Sequence, residues 1–237
     1  MISRRTPQNA KNLKRLVIAI DGPAASGKST TSRLVAKRLR YVHLDTGAMY
    51  RAMTLKVLQQ HISLDQTAAI GQLAEKTEIR LEQRDGESKV FLDNEDVTQA
   101  IRAQAVTRAV SAISMIKKVR EVMVREQRRM GGHGGIVLEG RDIGTVVFPD
   151  ADLKIFMVAH VEERSRRRQK ELEKQGVTVS LEELVQEIVE RDQKDSKREI
   201  SPLQKADDAL ILDTSEMTIA EQAEFIVRKA LEILKQR

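Results

Sequence analysis

Eight residues between Gly22 and Ser29 have the types and spacing that bind a nucleoside triphosphate. They read G-P-A-A-S-G-K-S, follow the apolar run Leu16–Ile20 and lead into a helical pattern at Thr30. The glycines allow successive backbone N–H groups to point at phosphate oxygens, and the following helix adds its positive end. We expect Lys28 to reach the β- and γ-phosphates and the Ser29 hydroxyl to bind Mg²⁺. The predicted nucleotide-binding residues are Gly22, Pro23, Ala24, Ala25, Ser26, Gly27, Lys28, Ser29 and Thr30.

A carboxylate follows the apolar run Ile136–Leu138. Glu139 at this position is typical of an acidic residue that helps to hold Mg²⁺ through water. Many buried strands also end in a carboxylate that has no metal, so the sequence leaves both interpretations open.

Four arginines, each next to a predicted strand end or turn, come from separate segments of the chain. A guanidinium group matches the oxygens of a phosphate better than an ammonium does. Each arginine could equally form a surface ion pair, and the spacing does not establish that they converge. The four are Arg51, Arg120, Arg141 and Arg198.

An arginine-rich segment follows the predicted fourth strand. Arg164 and Arg168 are four residues apart and share one helix face. One interpretation is a lid whose arginines close on a triphosphate and expel water. The other is a solvated face with ion pairs to Glu162 and Glu163, and the residues alone favour neither.

The elements that must position these residues alternate between strand and helix. Five apolar strands that alternate with helices indicate an α/β fold with a doubly wound, five-stranded parallel sheet. Ligands of such sheets bind beyond the carboxyl ends of the strands, where Asp45, Glu139 and Arg141 are expected. Strands are predicted at Leu16–Asp21, Tyr41–Leu44, Ile136–Leu138, Leu153–Val158 and Ala209–Leu212. Helices are predicted at Thr30–Leu39, Ala48–Gln60, Asp65–Lys76, Thr98–Met130 with a break near Ser114, Val161–Lys174, Leu181–Lys194 and Thr218–Leu234.

One segment departs from this alternation. Apolar residues alternate on both sides of Asp85-Gly86, which indicates a β-hairpin. We therefore predict an insertion at residues 63–100 and a core formed by 16–62 and 101–237. On the lid interpretation of the arginine-rich segment, the lid spans about 161–198.

Composition excludes several classes of protein. The 237-residue chain has no cysteine, so disulfides and thiolate metal sites are excluded, and its four histidines show no paired ligand spacing. No apolar stretch reaches the roughly 18 residues of a membrane span. The net charge of +6 is concentrated in residues 1–15, which contain five basic residues and no acidic one. We expect this segment to be a disordered basic arm rather than a nucleic-acid-binding one.

Longer motifs resemble the bacterial cytidylate kinases, a family of nucleoside monophosphate kinases. The resemblance runs from about Leu16 to Ile233. It rests on the glycine loop, L-D-T-G-A-M-Y-R ending at Arg51, G-R-D-I-G-T-V-V-F-P beginning at Gly140, E-R-D-Q-K-D ending at Asp195, and S-P-L-Q-K-A-D-D ending at Asp208. It also includes Glu163-Arg164 with Arg167-Arg168 and L-D-N-E-D-V-T ending at Thr98.

The resemblance implies a P-loop fold with a monophosphate-binding insertion, and transfer of the γ-phosphoryl group of ATP to CMP and dCMP with Mg²⁺. It places Lys28, Arg141, Arg164 and Arg168 in catalysis, the last two in the lid. It also implies a cytoplasmic monomer without a stable protein partner. The residues implied to bind CMP are Thr46, Tyr50, Arg51, Ser111, Arg120, Arg141, Asp142, Arg191, Asp195 and Arg198. Within this set, Ser111, Arg120 and Asp142 match cytosine-recognising positions, Arg51 and Arg141 match phosphate-binding positions, and Arg191, Asp195 and Arg198 lie around the ribose and phosphate.

The residues alone leave two other classes of function open, although both are disfavoured. A P-loop hydrolase switch is disfavoured because the chain has no Asn-Lys-x-Asp guanine motif. An RNA-binding module is disfavoured because the basic arm is short and aromatic residues make up only 3% of the chain. Stimulation of ATP turnover by CMP distinguishes the first from a kinase, and deletion of residues 1–14 tests the second.

Overall fold

The structure is a computed structural model that describes residues 15–84, 87–174 and 176–237. The predicted basic arm, except Arg15, lies outside the described residues. The Asp85-Gly86 turn of the predicted hairpin also lies outside them.

A five-stranded parallel sheet lies at the centre and confirms the predicted α/β class. The strands of the described residues are β1 (Val17–Asp21), β2 (Val42–Asp45), β3 (Ile79–Arg84), β4 (Glu87–Leu92), β5 (Glu95–Asp96), β6 (Ile136–Gly140), β7 (Leu153–Val158) and β8 (Leu210–Asp213). The central sheet has the order β2-β6-β1-β7-β8, and each neighbouring pair is parallel. All five predicted strands are present.

Helices cover both faces of this sheet. In the described residues they are α1 (Lys28–Leu39), α2 (Thr46–Gln59), α3 (Thr67–Lys76), α4 (Gln104–Met115), α5 (Lys117–Gly131), α6 (Val161–Glu173), α7 (Leu181–Lys197) and α8 (Ile219–Lys235). Ile18 and Ile20 of β1 pack into a cluster with residues of α1 and α8, whereas Ala19 packs with residues of α2 and α5 on the other face. Because both faces of β1 are buried, its sequence is continuously apolar rather than alternating.

The small antiparallel sheet β3-β4-β5 lies within the predicted insertion. Ile79 pairs with Leu92, Leu81 pairs with Val90, and this sheet packs on α2. Strand β5 was not predicted, because two exposed acidic residues carry no alternating pattern. The insertion boundaries at 63 and 100 stay a prediction.

The segment predicted as one helix over Thr98–Met130 is divided. A short helical turn at Ala100–Arg102 precedes α4, and Ile116 has an extended backbone between α4 and α5. The Arg120 guanidinium donates to the Ser114 carbonyl oxygen at 3.2 Å, which satisfies a carbonyl group that the broken helix leaves unpaired. The predicted break near Ser114 was therefore close to the observed position.

Candidate active site

A cleft of about 770 Å³ lies beyond the carboxyl ends of the central strands. The glycine loop forms one wall, and segments from α2, α4, α5, α6 and α7 form the others. Most predicted site residues line it: Ala24, Ala25, Gly27, Lys28, Ser29, Thr30, Thr46, Tyr50, Arg51, Ser111, Arg120, Glu139, Arg141, Asp142, Arg168, Arg191, Asp195 and Arg198. Gly22, Pro23, Ser26 and Arg164 lie behind this surface rather than on it.

The glycine loop connects β1 to α1 with the geometry of a phosphate-binding loop. Gly22 has φ +151°, and a Cβ atom there would meet the Met157 carbonyl oxygen at 2.2 Å, so a side chain has no space. Gly27, with φ +93°, caps α1 without a side-chain hydrogen bond. The first N–H groups of α1 therefore lack the side-chain acceptor that usually satisfies them, which makes this helix end suitable for an anion.

Lys28 is buried against the inside of the loop. Its Nζ donates to the Pro23 carbonyl oxygen at 2.6 Å and to Ser26 Oγ at 3.3 Å. Burial, together with the positive charge of Arg141, holds the pKa of Lys28 well below its ordinary value. Negative charge in the cleft would relieve this penalty, because it favours the protonated ammonium.

A buried carboxylate faces the start of α1. Glu139 Oε2 accepts a hydrogen bond from Ser29 Oγ at 2.6 Å, and Oε1 lies 2.9 Å from His43 Nε2. Burial raises the pKa of Glu139, but the hydrogen bonds from His43 and Ser29 and the positive charge of Lys28 together outweigh it, and the net pKa lies below the ordinary value. Asp45 is the neighbour of Glu139 in the sheet register, and burial followed by the charge of Glu139 raises its pKa. Glu139 therefore ionises more readily than Asp45.

Arginines from several elements gather opposite Lys28. Burial and then the charge of Arg141 lower the pKa of Arg191 to about 10, and Arg51 and Arg168 add to that effect. Arg141 Nε donates to Asp195 Oδ2 at 2.8 Å, which neutralises part of this charge. A cluster of guanidinium groups that repel one another is favourable for a polyanion, because phosphate oxygens can pair with several arginines at once.

A second group of ionised side chains lies deeper in the cleft. Asp142 accepts a hydrogen bond from Arg120, and its other oxygen lies 3.7 Å from Arg198 Nη2. The Arg120 guanidinium also lies over the Tyr50 ring, 5.5 Å from its centre. These residues come from α2, α5, the end of β6 and the end of α7, so the fold brings together arginines whose convergence the sequence left open.

The arginines of α6 divide into different roles. Arg164 is buried and donates to the Ala24 carbonyl oxygen at 3.2 Å, while its Nη2 lies 2.6 Å from Asp192 of α7. Arg167 donates to the Thr214 carbonyl oxygen at 2.6 Å. Arg168 lines the cleft and pairs with Glu171 at 2.8 Å. The lid interpretation thus fits Arg168 directly, whereas Arg164 joins α6 to the loop and to α7.

Sequence comparisons identify the family to which this site belongs. The family profile described as cytidylate kinase matches residues 18–232. The cytidylate kinase of Bacillus pumilus strain SAFR-032 is 49% identical over 223 residues, which cover 94% of this chain and 99% of that protein. The cytidylate kinase of Bacillus subtilis strain 168 is 46% identical over 224 residues, 94% of this chain and 98% of that protein.

The chain belongs to the cytidylate kinase family. Among solved structures, the shikimate kinase from Bacteroides thetaiotaomicron aligns with a TM-score of 0.47 at 14% identity, over 93% of this chain and 98% of that one. This distant similarity carries none of the argument.

Several residues at the cleft of this cytidylate kinase family member were not singled out from its sequence. Arg51 Nη1 donates to the Thr107 hydroxyl at 2.9 Å, and Arg102 also lines the cleft. Asp21 accepts from the backbone N–H groups of Ile143 and Gly144 at 2.8 and 2.7 Å. The position of Asp21 directly before the glycine loop was the available signal, whereas Thr107 and Arg102 carry no motif.

The described residues of this kinase contain no helix long and apolar enough to cross a membrane. They also contain no cluster of three or more histidine or carboxylate side chains that could hold a metal ion alone.

Proposed function

We propose that this chain transfers the γ-phosphoryl group of ATP to CMP, and also to dCMP, giving ADP and the corresponding diphosphate. The observation that carries the proposal is the cleft itself, in which the buried Lys28 faces a cluster of guanidinium groups. The phosphates of ATP lie on the loop from Gly22 to Thr30. The shorter nucleotide lies on the arginine side, and the family membership supports CMP as its identity.

The phosphate of CMP binds Arg51, Arg141 and Arg198. All three line the cleft, and they come from α2, the segment after β6 and the end of α7. Arg191 and Asp195 complete this side, together with Thr46, whose hydroxyl donates to the Glu139 carbonyl oxygen at 2.7 Å.

The cytosine ring is recognised by Ser111, Arg120 and Asp142, beside Tyr50. Cytosine carries an exocyclic amine where uracil carries a carbonyl oxygen. The Asp142 carboxylate can accept a hydrogen bond from the amine, whereas a uracil oxygen would face its negative charge. Such a mismatch discriminates strongly, because it leaves buried polar groups unpaired.

The donor set at the start of α1 fits Mg²⁺. Ser29 Oγ and Glu139 supply oxygen atoms, the ligands that this ion prefers, and nucleotide phosphates and water would supply the rest. Ser29 would bind the ion directly and Glu139 through water. When bound, Mg²⁺ supplies positive charge beside the phosphates.

Phosphoryl transfer in this site depends on positioning and charge rather than on a general base. The second pKa of a phosphate monoester is about 6, so the acceptor is already largely ionised at neutral pH. Lys28, Arg141 and Arg168 hold the two anions in line and offset their repulsion, and Arg164 holds the lid helix against the loop. Closure of α6 and α7 excludes water, which limits hydrolysis of ATP.

A coupled assay of ADP release tests the proposal. Purified enzyme with ATP and Mg²⁺ is supplied with CMP, dCMP, UMP or AMP in separate reactions. We expect rapid ADP release with CMP and dCMP and much slower release with the other two. ADP release that is equally fast without any acceptor would contradict the proposal and indicate a hydrolase.

A further inference from the structure

A chain of hydrogen bonds connects the small antiparallel sheet to the start of α1. His43 of β2 lies at its centre with a side chain that is only 2% exposed. On one side its Nε2 lies 2.9 Å from Glu139, which accepts from Ser29. On the other side its Nδ1 lies 3.4 Å from Ser88 Oγ of β4, which accepts from the Gln83 side-chain amide at 2.8 Å.

The donors and acceptors of these hydrogen bonds are consistent with donation in one direction, from Gln83 through Ser88 and His43 to Glu139. A carboxylate only accepts, so the His43 nitrogen that faces Glu139 must carry a proton. The other nitrogen of a neutral imidazole then accepts, and the Ser88 hydroxyl can donate to it because Ser88 Oγ already accepts from Gln83. Each hydroxyl and each ring nitrogen thus has a suitable partner.

Burial and a neighbouring carboxylate both disfavour the charge of Glu139 at its present position, so another side chain is needed to hold it there. Its side chain is 4% exposed, so water cannot solvate its charge. Asp45 adds a second carboxylate at the neighbouring register position. Without the His43 donor, nothing on that side would hold Glu139 Oε1, and the carboxylate could rotate away from Ser29.

Two hydrogen bonds fix the orientation of the His43 ring. The side chain is almost fully buried between β2 and the small sheet, and each ring nitrogen faces a polar partner, Glu139 for Nε2 and Ser88 for Nδ1. The orientation that these two contacts select is the one that presents Nε2 to Glu139.

We propose that His43 is a positioning residue for phosphoryl transfer, which orients Glu139 toward the Mg²⁺-binding corner at Ser29, and that Ser88 of β4 fixes the tautomer of His43. The proposal rests on the proposed function, because it assumes that Mg²⁺ binds with ATP at this corner. It adds a role for the small sheet, whose Ser88 supports the donor side of the cleft.

Equilibrium binding measures this role without turnover. A non-hydrolysable ATP analogue is titrated into the enzyme without CMP, at a series of Mg²⁺ concentrations and with EDTA. His43→Leu removes the donor to Glu139, and His43→Gln keeps an N–H group at nearly the same place. We expect His43→Leu to raise the Mg²⁺ concentration that gives half of the maximal gain in analogue binding by about tenfold or more. Loss of a side chain that orients a metal ligand typically has an effect of this size. His43→Gln should stay within about threefold of the original enzyme, and binding in EDTA should be unchanged in both variants.

Further variants connect the result to the two neighbours of His43. Glu139→Gln should weaken Mg²⁺ binding to a similar extent, and adding His43→Leu to it should produce little further loss. Ser88→Ala should weaken Mg²⁺ binding in the same direction by about two- to threefold. If His43→Leu does not fold, His43→Gln and Glu139→Gln still provide the comparison, and weakening in Glu139→Gln with retention in His43→Gln supports the proposal.

Three outcomes would overturn the inference. The first is unchanged Mg²⁺ dependence in His43→Leu and in Glu139→Gln. The second is equal loss of binding with and without Mg²⁺ in His43→Leu, which would indicate a merely structural residue. The third is unchanged Mg²⁺ binding in Ser88→Ala, which would remove the link to the small sheet. Failure of the proposed function has a different signature, because CMP would then not stimulate ADP release by the original enzyme, whatever the Mg²⁺ dependence of analogue binding.

Discussion

Lys28 is a buried amine whose protonated form a bound anion would favour. In the structure its ammonium group turns back to the Pro23 carbonyl oxygen and to Ser26, and burial lowers its pKa. Phosphate oxygens offer the negative charge that these neutral acceptors lack. The residue is thus prepared to bind an anion rather than to support the fold.

Replacing Lys28 tests this role. We expect Lys28→Ala to lower kcat by about 100- to 1000-fold, the usual effect of losing one charge-stabilising group, while the far-ultraviolet circular dichroism stays unchanged. Lys37→Ala is the matched control, because Lys37 is an exposed residue of the same helix. Near-normal kcat in Lys28→Ala would exclude the loop as the site of ATP.

Asp142 carries the expected discrimination between cytosine and uracil. A carboxylate only accepts hydrogen bonds, whereas an asparagine amide can also donate one to the uracil oxygen. We therefore expect Asp142→Asn to narrow the CMP/UMP ratio of kcat/KM by about tenfold or more, and Asp142→Ala to narrow it as well. A coupled assay with both acceptors measures the ratio. Asp208→Asn, which changes an exposed carboxylate that pairs with Lys154, should leave it unaltered, and an unchanged ratio in both Asp142 variants would exclude base recognition.

Individual site residues could be predicted from the sequence where they directly follow a predicted strand. The glycine loop and Glu139 follow apolar runs, so their places were predictable. Arg51, Arg120, Arg141 and Arg198 were singled out, but their convergence depends on how α2, α5 and α7 close around the strand ends. The role of His43 could not be predicted, because its partner Glu139 is 96 residues away and Ser88 is 45 residues away.

At the scale of elements, Asp21 fixes one side of the cleft. It ends β1, and both of its carboxylate oxygens accept from the wide helical turn Ile143–Val147 that follows Arg141 and Asp142. The turn was not predicted, because Asp21, which accepts from its first two N–H groups, is more than a hundred positions away in the chain. The strands and most helices were predicted, because the spacing of apolar residues within a segment indicates its secondary structure.

The contribution of the buried Asp21 carboxylate to the free energy of unfolding depends on pH. Burial, only partly offset by the two N–H donors, raises the pKa of Asp21 from 3.8 to about 6. The folded state therefore holds the Asp21 proton more tightly than the unfolded state does, and the free energy of unfolding falls as the pH rises from about 4 to about 6. Between fully protonated and fully ionised Asp21, the free energy of unfolding changes by about 3 kcal/mol.

Urea unfolding of the original enzyme and of Asp21→Asn between pH 4 and pH 7.5 measures this dependence. We expect the stability of the original enzyme relative to the variant to fall as the pH rises through this range. Asp208→Asn is the control, because the hydrogen bond from Lys154 lowers the pKa of Asp208 below its ordinary value, and its stability difference should change little above about pH 5. A constant difference for Asp21→Asn would show that its pKa is ordinary in the folded protein.

In the whole molecule, the glycine loop and a cluster of guanidinium groups face each other across one cleft. Its parallel sheet aligns the strand ends, and α4 to α7 carry arginines and carboxylates to the opposite wall. The class of the fold followed from the alternation of strands and helices. The distance across the cleft did not, because it depends on packing between elements that are far apart in the chain.

A crystal structure of the enzyme with CMP would show where the acceptor nucleotide binds. We expect the phosphate of CMP to lie against Arg51, Arg141 and Arg198, with cytosine beside Asp142 and Arg120. CMP bound on the glycine loop instead, or anywhere away from those three arginines, would contradict this expectation.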